Sequence, residues 1–513
     1  MKRYGFTAFI IYLIFNYLTG CNEIDNYSVS PAHQLSFSAD TVTFDTVFTT
    51  IGSLTNYFMV YNRNDKALNI EDIRLASGGS SGFRLNVDGR KGDIFSNIPI
   101  WAKDSLYIAV EVTVNPNAEN QPFVVYDSVI FTTNGVQQSV IFEAYGQNVH
   151  ILRGATVFDK DTTLTADRPY LVFDSVFIAE NTTINIEEGA SFYMHYGAKW
   201  KIDGSVKANG TKDKPITFRG DRLGAFNSYT TYDKIWSQWD GLYFGSQSFD
   251  NELNYTRIRN GVSGLTFSES LPDRKKITMN DCVLTNMGAN ILYAVNCNME
   301  IVNSELSNAG DYLLLLVGGK YRFIHCTIAN YMPSVLGTST RLHPTFTLSD
   351  NLLFLPDNSE DSRIFPVQEA FFDNCIIDGS MGANSDVTQE VFKGEIQFFA
   401  DSNYIYGDDE HFNYRFNHCI IKTKEVIGFR FNGCLMAKSP IYLKSIGINN
   451  NKKSDFVFDF HLDSASIGIG VADSSISALY PVDMDGVDRL TSPTGPTIGA
   501  YEFVKQEKDE KDD

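Results

Sequence analysis

An all-β chain in two parts, a β-sandwich followed by a coil of parallel strands, is predicted by three observations. Residues 36–148 hold short alternating apolar runs between turn clusters. Residues 149–503 carry a pattern that returns about every 22 residues. Helical periodicity is nearly absent from both, and the 38 Phe and 26 Tyr suit strands better than helix bundles.

At the N-terminus, Lys2 and Arg3 precede an apolar run, Tyr4 to Leu18, that ends in Leu18-Thr19-Gly20-Cys21. The run is shorter than the ~20 residues a membrane span needs. Its layout resembles a bacterial lipoprotein signal peptide. That resemblance implies removal of residues 1–20, a lipidated Cys21 as mature N-terminus, a linker over 21–35, and a membrane partner held through acyl chains. The following Asn22-Glu23-Ile24-Asp25 resembles signals that send some Gram-negative lipoproteins to the outer face of the outer membrane, so the expected location is the outer membrane, on its periplasmic or cell-surface face.

From Ser36 to Asn148, runs such as Thr41-Val-Thr-Phe44, Tyr57-Phe-Met-Val-Tyr61, Leu106-Tyr-Ile-Ala-Val110 and Val140-Ile-Phe142 alternate in and out, which predicts an antiparallel sandwich. The order of Phe44-Asp-Thr-Val-Phe48, Tyr61-Asn-Arg-Asn64, Val112-Thr-Val-Asn-Pro116 and Phe131-Thr-Thr-Asn-Gly135 resembles immunoglobulin-like domains of the Hydin and abnormal-spindle type. The resemblance implies a spacer or docking module without chemistry of its own.

The coil is read from five segments that share one apolar-polar pattern ending in Cys or Ser. They are Ile277–Cys282, Met299–Ser304, Tyr321–Cys326, Ala370–Cys375 and Tyr414–Cys419, with Ile258 as a candidate earlier slot. Steps between slots are 24, 22, 22, 49 and 44 residues, and the last two look like doubled units with turns missing from the pattern. A turn of three short strands and three bends fits the unit, which gives a parallel β-helix whose coils stack because none buries its apolar face alone. With coils about 4.8 Å apart, Cys282 and Cys326 should lie ~9.6 Å apart, beyond the ~7 Å limit for a disulfide. The cysteines are therefore expected as buried thiols on an inward ladder. Thr183–Gly189, Lys201–Gly210, Lys214–Phe218 and Trp239–Phe244 resemble the opening turns of right-handed parallel β-helix proteins. Asp463–Gly468, Asp483–Gly486, Arg489 and Ile498–Phe503 resemble the closing segment called a choice-of-anchor domain, which implies a shield over the last turn. The charged tail, 504–513, is expected to be disordered.

Charge narrows the partners. With 62 acidic against 42 basic residues the net charge is −20, a poor surface for nucleic acid. Polyanionic glycans would need Ca²⁺ or a local basic patch, whereas neutral polysaccharides and surface proteins face no such barrier. No catalytic or cofactor motif in the sequence is strong enough to name a reaction. Candidate ligand-binding residues are the aromatic and His side chains of expected loops, Tyr229, Tyr232, Trp236, Tyr404, Tyr406 and His411. Asp408, Asp409 and Glu410 are candidate ligands for Ca²⁺, although they lack the spacing of a calcium loop. The run Arg274-Lys275-Lys276 reads as a solvated turn or as a base for lyase chemistry, and Trp239 as a stacking or an inward residue. His325 and His418 read as turn-facing surface residues sharing a side with Asp281 and Asn374. The functional expectation is a surface lipoprotein that binds a glycan or protein through the side of its coil. The alternative is a polysaccharide lyase or glycoside hydrolase acting in a lateral groove, with its residues drawn from 330–369 and 380–413.

Overall fold

The computed structural model describes residues 27–227, 230–332, 341, 343–352, 363–382, 394–400, 409–424, 428–444 and 458–505. Cys21, Tyr229, Tyr404, Tyr406, Asp408 and the tail from 506 lie outside the described residues. The chain divides into two compact units, 1–149 and 150–513. Among the described residues no helix is long and apolar enough to cross a membrane.

The first unit is a sandwich of two five-stranded sheets. One joins Ser36–Phe37, Asn56–Tyr61, Ser105–Val112, Phe83–Val87 and Arg90–Gly92; the other joins Thr41–Phe48, Val136–Gln147, Phe123–Thr133, Leu68–Leu75 and Ile94–Ile100. Alternate residues face inward, and Phe58, Phe83, Phe131 and Phe142 meet between the sheets at 5.4–6.3 Å. The expected all-antiparallel pairing is broken once, because Thr41–Phe48 runs parallel to Val136–Gln147. The first strand is split between the sheets: 36–37 pairs in one, and after 38–40 the chain crosses to the edge of the other. A bulge at Asp45 then shifts the register, so that Val47 as well as Phe44 turns inward.

The second unit is a parallel β-helix. Among the described residues its three faces hold eleven, nine and ten parallel strands, each strand pairing with its counterpart one coil away. The interior is aliphatic and aromatic, with like residues in register. Phe323, Phe372 and Phe416 stack at 4.7 and 5.0 Å, and Phe431 continues the column at 5.2 Å.

The bend from the third face to the first explains the repeat. At each bend one residue takes a left-handed conformation: Tyr255, Asp281, Asn303, His325, Asn374, His418 and Gly433 all have φ between 43° and 62°. Asn, Asp, His and Gly tolerate this region best. The next residue is Thr256, Cys282, Ser304, Cys326, Cys375, Cys419 or Cys434, whose hydroxyl or thiol donates to the carbonyl two residues earlier at 2.7–3.5 Å. The same side chains accept amides of the preceding coil: Cys282 N–H donates to Ser304 Oγ, Cys326 N–H to Cys375 Sγ and Cys375 N–H to Cys419 Sγ. The slot thus selects a small side chain with a hydrogen-bonding end, not merely an apolar one, and this accounts for Ser and Thr among the cysteines. All six described cysteines are free thiols.

Two expectations about the repeat are corrected. The slot before Cys282 is Thr256, not Ile258, because Asn254 pairs with Asn280 and the true step is 26. The long steps are single coils with insertions, not doubled units. Ile324 pairs directly with Asp373, and Asp373 with Asn417, so only Phe346–Ser349 and Ile396–Phe399 supply the second face of those coils.

The closing segment 458–503 also differs from a shield over the last turn. It lies along the outer side of the first face, against coils that begin well before the end, and its docking rail is the left-handed bend column. Asn303 donates to Val482 O, Asp473 N–H donates to Asn374 Oδ1, and Gly499 N–H donates to Asn374 O. His325 meets Ser477 Oγ at 3.0 Å, and His418 Nδ1 lies 2.9 Å from Val471 O. His325 is consequently buried rather than on the surface, and desolvation holds its imidazole well below the usual range. Arg489, fully buried, ties the segment together through the carbonyls of Thr497, Gly499 and Ala500.

Candidate functional site

A cleft of about 630 Å³ opens on the side of the coil, where the closing segment leaves the first face uncovered. Outward residues alternate with core residues along parallel strands, so three successive coils provide its floor. Arg257 and Arg259 come from Thr256–Arg259, Val283 and Thr285 from Val283–Met287, and Glu305 and Ser307 from Glu305–Ala309. Register places Arg257, Val283 and Glu305 in one column and Arg259, Thr285 and Ser307 in the next.

One wall is the segment after the paired strands Ala225–Asn227 and Thr230–Thr231, bringing Asp233, Lys234 and Trp236. It is held by Asn260, whose Nδ2 donates to the carbonyls of Asp233 and Ile235. The opposite wall is the closing segment, with Phe458, His461, Asp485 and Tyr501. Lys212 borders the cleft and bonds the Asp485 carbonyl.

The two ends of the floor differ in charge. At the N-terminal end, Arg219 and Arg259 share Asp233, the latter at 3.5 Å. At the other end, Glu305 accepts from Tyr501 OH at 2.5 Å and lies 2.7 Å from the Ser307 hydroxyl, itself 2.8 Å from Thr285 Oγ1. Burial raises the Glu305 carboxyl despite these bonds. Burial likewise pushes Asp281 up to about 6, with Asn303 opposing and Asp483 adding to the rise. His461 sits between Asp459 at 2.5 Å and Asp485 at 2.6 Å, its ring 4.0 Å from that of Tyr501. Burial disfavours its charge, but bonds to the two carboxylates outweigh that and raise it to about 9.

Of the residues singled out from sequence, Trp236 lines this cleft. Tyr232 stands in the neighbouring turn against Phe226, ring centroids 5.3 Å apart, and not in the cleft. His411 precedes the third-face strand Phe412–Asn417, where its carbonyl accepts from Val367, and is not part of the cleft. Asp409 pairs with Arg430 at 2.6 Å, beside Glu410 in the same turn. Among the described residues no three His, Cys, Asp or Glu side chains gather as metal ligands. Trp239 is an inward residue whose Nε1 donates to Arg259 O. The Arg274–Lys276 run is only partly a solvated turn: Arg274 pairs with Asp250, whereas Lys276 is buried, donates to Gly245 O, and is pulled down to about 8 by desolvation. Sequence reasoning missed Arg257, Arg259, Glu305, Ser307, His461 and Tyr501. The available signal was two arginines at alternate positions of one strand in an acidic chain.

No family model matches the chain, and no curated protein matches it. Among solved structures, the catalytic domain of a GH87 α-1,3-glucanase in complex with tetrasaccharides aligns over 74% of this chain and 89% of its own, at 10% identity and a TM-score of 0.20. The ASH/PapD-like domain of human CEP192 aligns over 26% of this chain and 94% of its own, at 10% identity and a TM-score of 0.16. A family 123 glycoside hydrolase from Clostridium perfringens aligns over 23% of this chain and only 30% of its own, at 9% identity and a TM-score of 0.16. Likenesses this remote carry no inference about activity.

Proposed function

We propose that this chain is a surface-anchored carbohydrate-binding protein whose ligand lies in the lateral cleft. The observation that carries the reading is the cleft's construction: polar outward side chains from three successive coils below, and Trp236, Tyr255, Phe458 and Tyr501 around them, in a volume of about 630 Å³. A volume of that size suits a small ligand, and aromatic faces with convergent hydroxyl, carboxyl and guanidinium groups suit sugar rings. The remainder of the proposal rests on sequence. Lipidation at Cys21 would anchor the chain at the outer membrane, and the immunoglobulin-like sandwich would act as a spacer.

The test is calorimetric titration of the full chain with a panel of oligosaccharides, alongside Trp236→Ala. The reading expects at least one ligand to bind and the substitution to weaken it by about tenfold, corresponding to ~1.4 kcal/mol. Unaltered affinity in Trp236→Ala would move the ligand elsewhere on the chain. A protein partner in place of a glycan would appear as absence of binding across the panel.

One observation favours a second, hydrolytic reading. Asp281 and Glu305 both border the cleft from adjacent coils, and burial raises both carboxyls, Asp281 to about 6, which is the direction a proton-donating acid needs. New reducing ends after incubation with the same panel, lost in Asp281→Asn, would establish that reading.

A further inference from the structure

The N-terminal end of the cleft is cationic although the chain as a whole carries −20. Arg257 and Arg259 alternate on one strand, and Arg219 stands one coil below Arg259 in register. Three carboxylates border this end with them, Asp213, Asp233 and Asp485. Asp233 takes both Arg219 and Arg259. The Asp485 carboxylate is engaged by His461 at 2.6 Å, and Lys212 spends its bond on the neutral Asp485 carbonyl. Arg257 is exposed on the floor and, among the described residues, has no hydrogen-bonding or ion-pair partner. The Asp485 carboxylate bonds His461 rather than Arg257, though it lies near enough to be held down by Lys212 and Arg257 as well, so the Arg257 guanidinium is an unbonded fork that can meet an incoming carboxylate in two-point geometry. One and two coils further, about 5 and 10 Å along the axis, the floor changes to Thr285, Ser307 and Glu305, which suit hydroxyl groups.

Building on the carbohydrate reading, we infer that the cleft selects acidic saccharides: a sugar carboxylate sits on Arg257 beside Lys212, and the ring hydroxyls of the same ligand face Thr285 and Ser307. The polarity is set by the coil, with the acid group toward the N-terminal end. Neutral sugars lack a partner for Arg257. The local cations also overcome the repulsion that the rest of this acidic surface imposes on polyanions.

The experiment titrates the full chain with matched pairs differing only at the carboxyl: oligogalacturonate and its methyl ester, oligomannuronate and its carboxyl-reduced form, oligoglucuronate and its carboxyl-reduced form. A sulfated neutral oligosaccharide is added as a separate arm. The acid of at least one pair should bind tenfold or more tightly than its neutral partner, and salt should erode the difference. Arg257→Gln should weaken the acid by tenfold or more and the neutral partner by less than twofold. Arg257→Lys should recover only part of the loss, since an ammonium keeps the charge but not the fork. Equal affinity within every pair, or equal loss of acid and neutral ligand in Arg257→Gln, would overturn the inference while leaving carbohydrate binding intact. Tighter binding of the sulfated arm than of any uronate would overturn the carboxylate assignment. Binding by no member of any pair would overturn the carbohydrate reading and this inference with it.

Discussion

Replacing Arg489 with methionine should release the closing segment from the side of the coil without unfolding the coil. The side chain is fully buried, with Nη2 3.0 Å from Ala500 O and 3.2 Å from both Gly499 O and Asn303 Oδ1. Nη1 lies 3.4 Å from Thr497 O and 3.6 Å from Glu502, which is itself buried. Methionine keeps most of the volume, so the loss falls on the bonds. Breaking a buried charge pair from one side costs about 3–5 kcal/mol. Glu502 retains the Thr497 amide and hydroxyl, and burial already raises its carboxyl, so protonation relieves part of the penalty and the lower end, ~3 kcal/mol, is expected. That corresponds to roughly a hundredfold more frequent opening. Amide hydrogen exchange read by mass spectrometry is the assay: peptides within 458–503 should exchange about a hundredfold faster in Arg489→Met, while strands such as Thr183–Ile186 and Ser191–Met194 keep their protection. Adding Glu502→Leu should restore part of the loss, because both partners are then apolar. Unchanged exchange across 458–503 in the single variant would refute the account of how this segment is held.

Other outcomes follow from the same geometry. Phe372→Ala removes the middle ring of the Phe323–Phe372–Phe416 stack and should destabilise the coil by ~3–5 kcal/mol, read as a lowered denaturation midpoint for that unit. His461 is raised from 6.5 to about 9 when folded, so its contribution is complete below pH 6.5 and disappears as pH rises through 9. The full shift would be worth ~3 kcal/mol, but a side chain about a third exposed is screened, and ~1 kcal/mol is the expected size. Exchange of 458–503 should therefore quicken between pH 6.5 and 9, and His461→Gln should flatten that dependence after correction for intrinsic rates. Aromatic disulfide reagents should leave Cys282 and Cys297 unmodified in the native protein, since burial raises their thiols to about 12 and about 11; rapid labelling of either would contradict the ladder.

The coil was legible because its bend imposes a local rule on each turn. A left-handed residue followed by a small hydrogen-bonding side chain leaves Asp281-Cys282, Asn303-Ser304, His325-Cys326, Asn374-Cys375 and His418-Cys419 in the sequence. The meaning of the first member was not legible. His325 and Asn374 look like surface polar residues until the closing segment, about 100–150 positions later in the chain, is seen bonded to them. Coil counting fails where insertions lengthen the chain without adding a strand, and Ile258 mimics the slot because it is apolar, although it pairs with Leu284, two positions beyond Cys282. The cleft was hidden for a related reason. Its floor follows the repeat, but its walls come from 233–236 and 458–501, and no periodicity connects segments that far apart.

Hydroxyl-radical footprinting of the full chain, with and without a saturating acidic oligosaccharide, tests the lateral cleft most directly. Coincident protection is expected at Trp236, Tyr255, Phe458 and Tyr501, four side chains that are distant in sequence and adjacent only if the closing segment lies along the first face of the coil. Protection confined to the sandwich, or to the insertions near 383–408, with these four unchanged, would contradict it.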